Sequence, residues 1–478
     1  MDFRKIFNFI PEVRKPEEKK LSFNIKLKWT LIVLGAFFVL ANIPLFGLSN
    51  NALQRFEYLA IILGTDFGSI ISLGIGPIVM ASIILQLLTG SGIVNIDTTT
   101  PEGKKFFSGV QNILVFFFII FEAFVYVMMQ GLQALPGYTG IVIFQLILGG
   151  LAIFYMDQLT HKWGFGSGVS LFIAAGVAWR LIASGFQFID QQGRNCLLNF
   201  KDTPCAGKVF VIMQSIINKY PTELLAALAA IIATIIIFLI VVWAQSLKVE
   251  IPLSFGRIRG YSLKWPLSFF YASVIPVILT AALVANFQLF GGLFQNAAEA
   301  CAAGTCSGMA SFASHFSFLG TFVNGQPVSG LAFWVGSTNL VELFIRGGFL
   351  PRFLIQGITH ILFFVVFSMV FSIFWVKTSG MDAKSQAHRI SSSGLQVAGF
   401  RQDERILESI LSRYIMPLTV MGGAAIGLLA AITDLLGALV GGTSILLVIM
   451  IMFQFYQNIA QQHSMDMNPA FRKVMGTG

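Results

Sequence analysis

Ten apolar runs in the sequence are each close to the roughly 20 residues that a helix needs to cross a lipid bilayer. They lie at 27–46, 70–89, 110–132, 137–157, 168–187, 223–247, 269–290, 352–376, 415–434 and 443–462. With 56% hydrophobic and 11% charged residues, the composition excludes an ordinary soluble protein. We therefore expect an all-α polytopic membrane protein with ten transmembrane helices.

Lys and Arg residues predict the orientation, because cytoplasmic loops carry an excess of them. Ten spans place both termini on one side, and a cytoplasmic N-terminus assigns 23 of the 31 Lys and Arg residues to cytoplasmic segments. The net charge of +9 then lies mainly on a face that would attract anionic lipid or RNA. The first 26 residues form either an amphipathic segment on the membrane surface or a disordered tail.

A long polar loop at 188–222 separates five spans from the next five. Two sets of five spans run in opposite directions through the membrane, as expected of inverted halves. We therefore divide the chain into an N-terminal segment (1–26), a first half (27–187), an outer hinge loop (188–222), a second half (223–462) and a tail (463–478). This symmetry follows from topology and not from similarity between the halves.

The stretch between the first two runs contains apolar residues at helical spacing: Leu53, Phe56, Ala60 and Leu63. Gly64 ends this pattern, and a helix of about a dozen residues reaches roughly 18 Å, too short for a hydrocarbon core of roughly 30 Å. The next run contains Gly74, Gly76 and Pro77, which interrupt the helix and leave polar backbone groups that lipid cannot satisfy. The stretch is either a half-helix entering a vestibule or an ordinary outer loop.

All four cysteines fall in predicted outer loops, as the pairs Cys196 with Cys205 and Cys301 with Cys306. This side is oxidising, and the short spacing within each pair favours two local disulfides. Zinc binding is the weaker alternative because no His lies at ligand spacing from either pair.

Few ionisable residues lie within the predicted spans. Glu122 lies inside the third run, where a carboxylate should face a cavity or a polar partner. No nucleophile with a base, metal cluster or phosphate-binding loop is apparent, so we expect neither an enzyme nor a cofactor.

In the loop after the sixth run, Arg257 and Arg259 lie between two glycines and predict a hairpin tip with two guanidinium groups.

One remaining function is a membrane channel whose narrowest part, the waist, is lined by apolar side chains. Such a constriction loses its water when it is empty and therefore blocks the passage of ions. The candidates for this ring are Ile75, Val79, Val169, Ile173, Ile278 and Leu447. Aliphatic residues are the default in any span, so the pattern alone leaves a second function open. That alternative is a secondary transporter with inverted repeats and a discontinuous helix.

Five motifs occur in an order that resembles the SecY family, in its archaeal form and its relative from the eukaryotic endoplasmic reticulum. They are GIGPIVMASIILQLL, GSGVSLFIAAG, KVEIPLSFGRIRG, SVIPVILTAALVANFQ and GALVGGTSILL. The resemblance implies a plasma-membrane channel that translocates unfolded polypeptides and releases apolar segments into lipid. It also implies an hourglass pore between two inverted halves of five helices, closed by a short plug at about 52–63.

The resemblance also implies roles for particular residues. The six ring candidates would form the pore ring, and the plug would include Leu53, Phe56, Leu59, Ala60 and Leu63. A lateral gate would include Met80, Glu122 and Asn286; Met80 departs from the Thr or Ser that is frequent in the family, which suggests a more apolar gate. Ribosome binding would involve Arg257, Arg259 and Arg401.

The expected partners are a SecE-type clamping subunit, a beta-type small subunit, a ribosome, a nascent polypeptide with its signal sequence, and membrane lipid. Guanidinium groups suit the ribosome contact because they pair with RNA phosphates through two hydrogen bonds.

Overall fold

Apolar helices dominate the computed structural model. It describes residues 11–18, 21–51, 67–90, 93–94, 96, 100–129, 131–188, 195–198, 200, 205–255, 262–272, 274–302, 317–323, 326–392, 395–397 and 403–467. Within these residues, nine helices are long and apolar enough to cross a membrane. The helices before the hinge loop are α1 (Phe23–Ala41), α2 (Gly76–Gly90), α3 (Pro101–Met128), α4 (Thr139–Trp163) and α5 (Gly168–Phe186).

The second half repeats this alternation of long helices and loops. Its helices, beginning with one in the hinge loop, are α6 (Lys208–Asn218), α7 (Pro221–Gln245), α8 (Ile275–Ala302), α9 (Gly330–Val335), α10 (Leu340–Ile345), α11 (Pro351–Thr378), α12 (Ala383–Ser392), α13 (Glu404–Leu436) and α14 (Gly442–Met467).

In the part of the chain that the structure describes, three small antiparallel sheets lie between the long helices. Their strands are β1 (Leu48–Asn51), β2 (Leu132–Ala134), β3 (Lys248–Phe255), β4 (Ser262–Ser268), β5 (Thr321–Val323), β6 (Gln326–Ser329) and β7 (Leu395–Val397), with orders β1-β2, β4-β3-β7 and β5-β6. β3 and β4 pair in continuous register from Lys248 opposite Ser268 to Ser254 opposite Ser262. The loop after the sixth run is therefore the hairpin that the sequence predicts.

The second helix is shorter than its apolar run. The sequence predicts a span over 70–89, but α2 has 15 residues and begins at Gly76. Gly74 adopts a left-handed φ of +52°, and Pro77 has no amide hydrogen for the Leu73 carbonyl. That carbonyl instead accepts a hydrogen bond from the Gly76 amide at 3.2 Å, so the residues before α2 form turns.

The ninth predicted span also differs from its helix. The sequence places its start at 415, whereas α13 begins at Glu404 and has 33 residues. Asp403 caps this helix by accepting a hydrogen bond from the Arg405 amide at 2.9 Å. Hydropathy identifies only the part of a helix that lipid surrounds, and it therefore misses a polar first section.

The closest helix packing in the second half depends on glycine. An ideal Cβ placed on Gly427 of α13 would lie 2.5 Å from the Phe364 carbonyl oxygen of α11, and one on Gly422 would lie 2.5 Å from the Phe269 carbonyl oxygen. The small residues therefore allow α13 to approach its neighbours at backbone distance, as in other membrane helix pairs.

The segment between α8 and α11 is docked on those two helices by their polar side chains. Gln356 of α11 donates to the carbonyl oxygens of Phe333 and Gly336 at 2.9 and 3.2 Å, and Gln295 of α8 donates to the Phe322 carbonyl at 3.0 Å. These bonds satisfy loop carbonyls that would otherwise be buried without partners. The described part of this segment therefore caps the ends of α8 and α11.

Two further contacts involve segments outside the long helices. Arg346, which follows α10, donates to Glu223 of α7 at 2.8 Å, and this hydrogen bond raises the pKa of Arg346. In the hinge loop, Cys196 and Cys205 form a disulfide, the first of the two predicted pairs. The second pair cannot be placed, because Cys306 lies outside the described residues.

Replacing Gly427 with Ala should lower the apparent melting temperature of the purified protein, because the new methyl group forces α11 and α13 apart at a cost of about 1–3 kcal/mol. Gly176 of α5 is the matched control, since no atom lies within 4 Å of an ideal Cβ there. Gly176→Ala should leave the melting temperature unchanged or raise it, because Ala favours helix by about 1 kcal/mol. Equal effects of the two changes would contradict the close packing.

Candidate functional site

The six aliphatic residues predicted for the waist lie at or near the starts of four helices. They are Ile75 and Val79 at α2, Val169 and Ile173 at α5, Ile278 at α8, and Leu447 at α14. Five of them belong to one continuous cluster of buried apolar side chains and are at most 4% exposed, and Val169 packs against the same cluster. α2 contacts α8, α8 contacts α14, and α14 contacts α5. These residues therefore share the interior of the helix bundle and do not face lipid.

The irregular backbone before α2 satisfies its own polar groups. The Ser72 hydroxyl accepts from the Gly68 amide at 2.8 Å and donates to the Ser69 carbonyl at 2.6 Å. The Ile70 amide donates to the Ile43 carbonyl at 3.0 Å. Because Ile71 and Leu73 are fully buried, this break in the helix is enclosed by protein, as the bilayer requires.

A carboxylate from the preceding helix caps the start of α5. Asp157 of α4 accepts a hydrogen bond from the Val169 amide at 2.9 Å. An ideal Cβ on Gly168 would meet the Asp157 backbone and side chain, so only glycine fits at this first position. The cap fixes the level of Val169 and Ile173 relative to α4.

The start of α14 is capped in the same way by Asp434 of α13. Asp434 Oδ1 accepts from the Thr443 amide at 2.6 Å, and Oδ2 accepts from the Thr443 hydroxyl. His360 of α11 brings its Nε2 to 3.5 Å from Asp434 Oδ2, and its Nδ1 donates to the Val335 carbonyl at 2.7 Å. This buried polar cluster therefore joins α9, α11, α13 and α14, and it sets the level of Leu447.

Sequence reasoning missed both caps. Asp157 and Asp434 lie in helices whose other residues are mostly apolar, and the residues they cap are 12 and 9 positions further along the chain. An isolated Asp near the end of one apolar run, followed by a glycine that starts the next, is a signal that could have identified them.

Among the described residues, no hydrogen bond joins the gate candidates to one another. Glu122 of α3 is 2% exposed, and its Oε2 lies 3.0 Å from an ideal Cβ on Gly76 at the start of α2. Neither carboxyl oxygen has a hydrogen-bond partner among the described residues. Asn286 of α8 is also buried, and it donates to the Ala282 carbonyl of its own helix at 2.7 Å. Met80 packs against the apolar core.

A buried hydrogen bond joins α8, which carries Asn286, to α11. The hydroxyl groups of Thr280 and Ser368 lie 3.2 Å apart. Since α11 also packs closely on α13, these three helices form one block that faces α2.

The sheet formed by β4, β3 and β7 covers a second apolar cluster at the opposite end of the bundle from α6. The Tyr271 hydroxyl donates to the Met381 carbonyl at 2.7 Å and connects the hairpin to the segment before α12. Burial and the nearby Asp382 raise the pKa of Tyr271 to about 12, so this hydroxyl remains a donor.

Several predicted site residues lie outside the described residues. They are the plug candidates Leu53, Phe56, Leu59, Ala60 and Leu63, and the ribosome-binding candidates Arg257, Arg259 and Arg401. In the chain, the first two of these arginines fall between β3 and β4, and Arg401 falls between β7 and α13, so all three are near strands of one sheet in sequence.

The described residues offer no group of three or more His, Cys, Asp or Glu side chains that could hold a metal ion. Their central feature is instead a set of broken or capped helices that meet in an apolar interior. This arrangement suits passage through a membrane better than chemical conversion.

Comparison with known proteins identifies the family. Residues 69–456 match the family model described as SecY. The protein translocase subunit SecY of Methanothermobacter thermautotrophicus is 38% identical over 99% of this chain and 98% of the relative.

Two solved structures share the fold, each at 35% identity and covering 99% of this chain and 100% of the matched chain. One is described as "The structure of a protein conducting channel" and has a TM-score of 0.81. The other, "Sec61 in the Canine ribosome-channel complex from the endoplasmic reticulum", has a TM-score of 0.78. The family match covers most of the chain, and the chain belongs to the SecY family of protein translocase subunits.

Proposed function

We propose that this chain forms the pore of a protein-conducting channel that passes unfolded polypeptides across the plasma membrane and releases apolar segments sideways into lipid. Both termini lie in the cytoplasm in this proposal, as the excess of Lys and Arg on that side indicates. The five helices before the hinge loop and the five long or broken helices after it would form the two halves of an hourglass. Membership of the SecY family favours this function over a secondary transporter.

The observation that carries the proposal is that five of the six ring candidates are buried in one apolar cluster and that the sixth, Val169, packs against it. Ile75, Ile173 and Leu447 are almost fully buried although they come from three helices in different parts of the chain. Aliphatic side chains at a waist exclude water and ions when no polypeptide is present. They also offer a passing chain no hydrogen bonds that would hold it in place.

We assign the plug to the short helical pattern at 52–63. A plug must lie beside the waist, and this segment directly precedes the broken backbone that leads into α2. In the resting channel it would add apolar contacts to the ring from the outer side.

We assign the lateral gate to the boundary between α2 and α3 on one side and α8 and α11 on the other, where α2 contacts both α8 and α11. Parting of these helices would open a route from the waist to lipid. Glu122 contributes buried oxygens without hydrogen-bond partners among the described residues, and Met80 contributes an apolar side chain. A gate closed mainly by apolar packing has no strong polar bonds to break, so an apolar segment can open it.

The cytoplasmic sheet is the proposed ribosome contact. Arg257, Arg259 and Arg401 lie near its strands in sequence, and the canine relative was solved in a ribosome-channel complex. In this proposal a translating ribosome supplies the force that drives the polypeptide. A SecE-type clamping subunit and a beta-type small subunit complete the proposed assembly.

Replacing Ile75 and Val79 together with Gly should increase ion conductance through the resting channel by about tenfold, because the waist loses aliphatic packing. The measurement is single-channel recording in planar bilayers. Ile232 and Leu239 of α7, which are 52% and 60% exposed, provide the matched control pair. Their replacement with Gly should leave conductance unchanged, and equal conductance in the two variants would contradict the ring.

Changing Arg257 and Arg259 to Glu should weaken ribosome binding by about tenfold at low salt. It should also reduce the slope of log affinity against log salt concentration by about two, because two contacts to RNA phosphates are lost. Cosedimentation over a range of salt concentrations measures both effects. Lys219→Glu, at the opposite end of the bundle, should bind ribosomes like the unaltered protein. Unchanged affinity in the double variant would exclude these arginines from the contact.

The proposed gate requires α8 and α11 to remain in contact with each other, and the hydrogen bond between Thr280 and Ser368 should help to hold them together. A double-mutant cycle of Thr280→Val and Ser368→Ala should show a coupling free energy of about 0.6 kcal/mol in unfolding from mixed micelles. Thr419→Val provides a control with Ser368→Ala, because the Thr419 hydroxyl donates to the Ile415 carbonyl of its own helix at 2.7 Å. Coupling of the same size in the control cycle would argue against the interhelical bond.

A further inference from the structure

The hinge loop contains a short helix, α6, whose exposed side is apolar. Met213, Ile216 and Ile217 lie at helical spacing and are each more than half exposed, as is Tyr220 two residues after the end of the helix. The buried side of α6 includes Ser215 and packs on α7 and α5. The helix therefore turns its apolar stripe away from the protein.

α12, at the opposite end of the bundle, has the reverse arrangement. Its exposed residues include Lys384, His388 and Arg389, whereas Ala387 and Ile390 are buried against α13 and the sheet. α12 thus has the pattern of a helix with one face in water. α6 and α12 are of similar length, so the inverted pattern of α6 indicates a different surrounding medium.

The charges of α6 are also typical of a helix at a membrane surface. Lys208 begins the helix, Lys219 follows its last residue, and no acidic residue lies between them. Long cationic side chains at the two ends of an apolar stripe can reach lipid phosphate groups while the stripe contacts hydrocarbon. Tyr220 adds an aromatic ring of the kind that is enriched at the membrane interface.

The two helices on which α6 packs also expose apolar side chains near it in the chain. Phe186 at the end of α5 and Leu225 in the first turns of α7 are 61% and 55% exposed, and both belong to helices that can cross the membrane. Leu197 and Leu198, between the two cysteines of the Cys196–Cys205 disulfide, are exposed as well. Exposed apolar side chains therefore occur on both sides of α6 in the chain as well as on it.

We propose that α6 lies in the lipid leaflet on this side of the membrane, with Met213, Ile216 and Ile217 in the hydrocarbon boundary and Lys208 and Lys219 at the phosphate groups. The connection between the two halves is then anchored to lipid and is not a free aqueous loop. The partner of this surface is phospholipid, and neither a second copy of the chain nor a smaller subunit covers it.

The test uses the full chain, with any subunits that copurify, in vesicles of phosphatidylglycerol and phosphatidylcholine. A benzophenone amino acid is placed at Ile216 or, in a second variant, at Ile217, and the adducts formed on illumination are identified by mass spectrometry. Lys384 of α12 is the control position, because it is exposed on a helix whose outer side is polar.

Both variants in α6 should give about tenfold more lipid adduct than the variant at Lys384. Lipid adducts at the control level would overturn the proposal, because the stripe would then face water. Adducts mainly to a second copy of the chain or to a smaller subunit would overturn it as well, because a protein would then cover the stripe. Both sites lie on the exposed side of α6, so the probe replaces no buried side chain.

Discussion

Hydrocarbon cannot hydrogen-bond to a peptide group, and this constraint governs how the first half is built. The backbone between α1 and α2 breaks where Gly74 and Pro77 prevent a continuous helix, and every polar group that the break exposes has to find a partner in the protein. Ser72 and neighbouring carbonyls supply several of these partners. The break therefore lies in the interior of the bundle, and Ile75 and Val79 lie there as well.

Much of this organisation could be predicted from the sequence. Apolar runs identified the long helices, alternating residues around Arg257 identified a hairpin, and five motifs identified the family. The ends of the helices were harder to predict, because hydropathy reports which residues lipid surrounds and not which hydrogen bonds begin or end a helix. The start of α13 at Glu404 depends on a cap at Asp403, and the start of α2 depends on the left-handed conformation of Gly74.

Contacts between distant residues were the least accessible to sequence reasoning. Glu122 was expected to face a cavity or a polar partner; it lies against Gly76 at the start of α2, with no hydrogen-bond partner among the described residues. His360 joins a buried cluster with Asp434 and Val335 that connects four helices. A single sequence gives the residue types at such points, whereas pairing depends on how the helices come together.

The caps at Asp157 and Asp434 have a consequence for how the family can diverge. Each carboxylate belongs to one helix and binds a peptide group in the first turn of another, so the height of α5 and α14 in the bilayer is set by backbone contacts and not by the side chains of the proposed waist. Side chains such as Ile173 and Leu447 can then exchange for others of different volume without shifting their helices. The width of the proposed waist can therefore change while the helices that carry it stay in place.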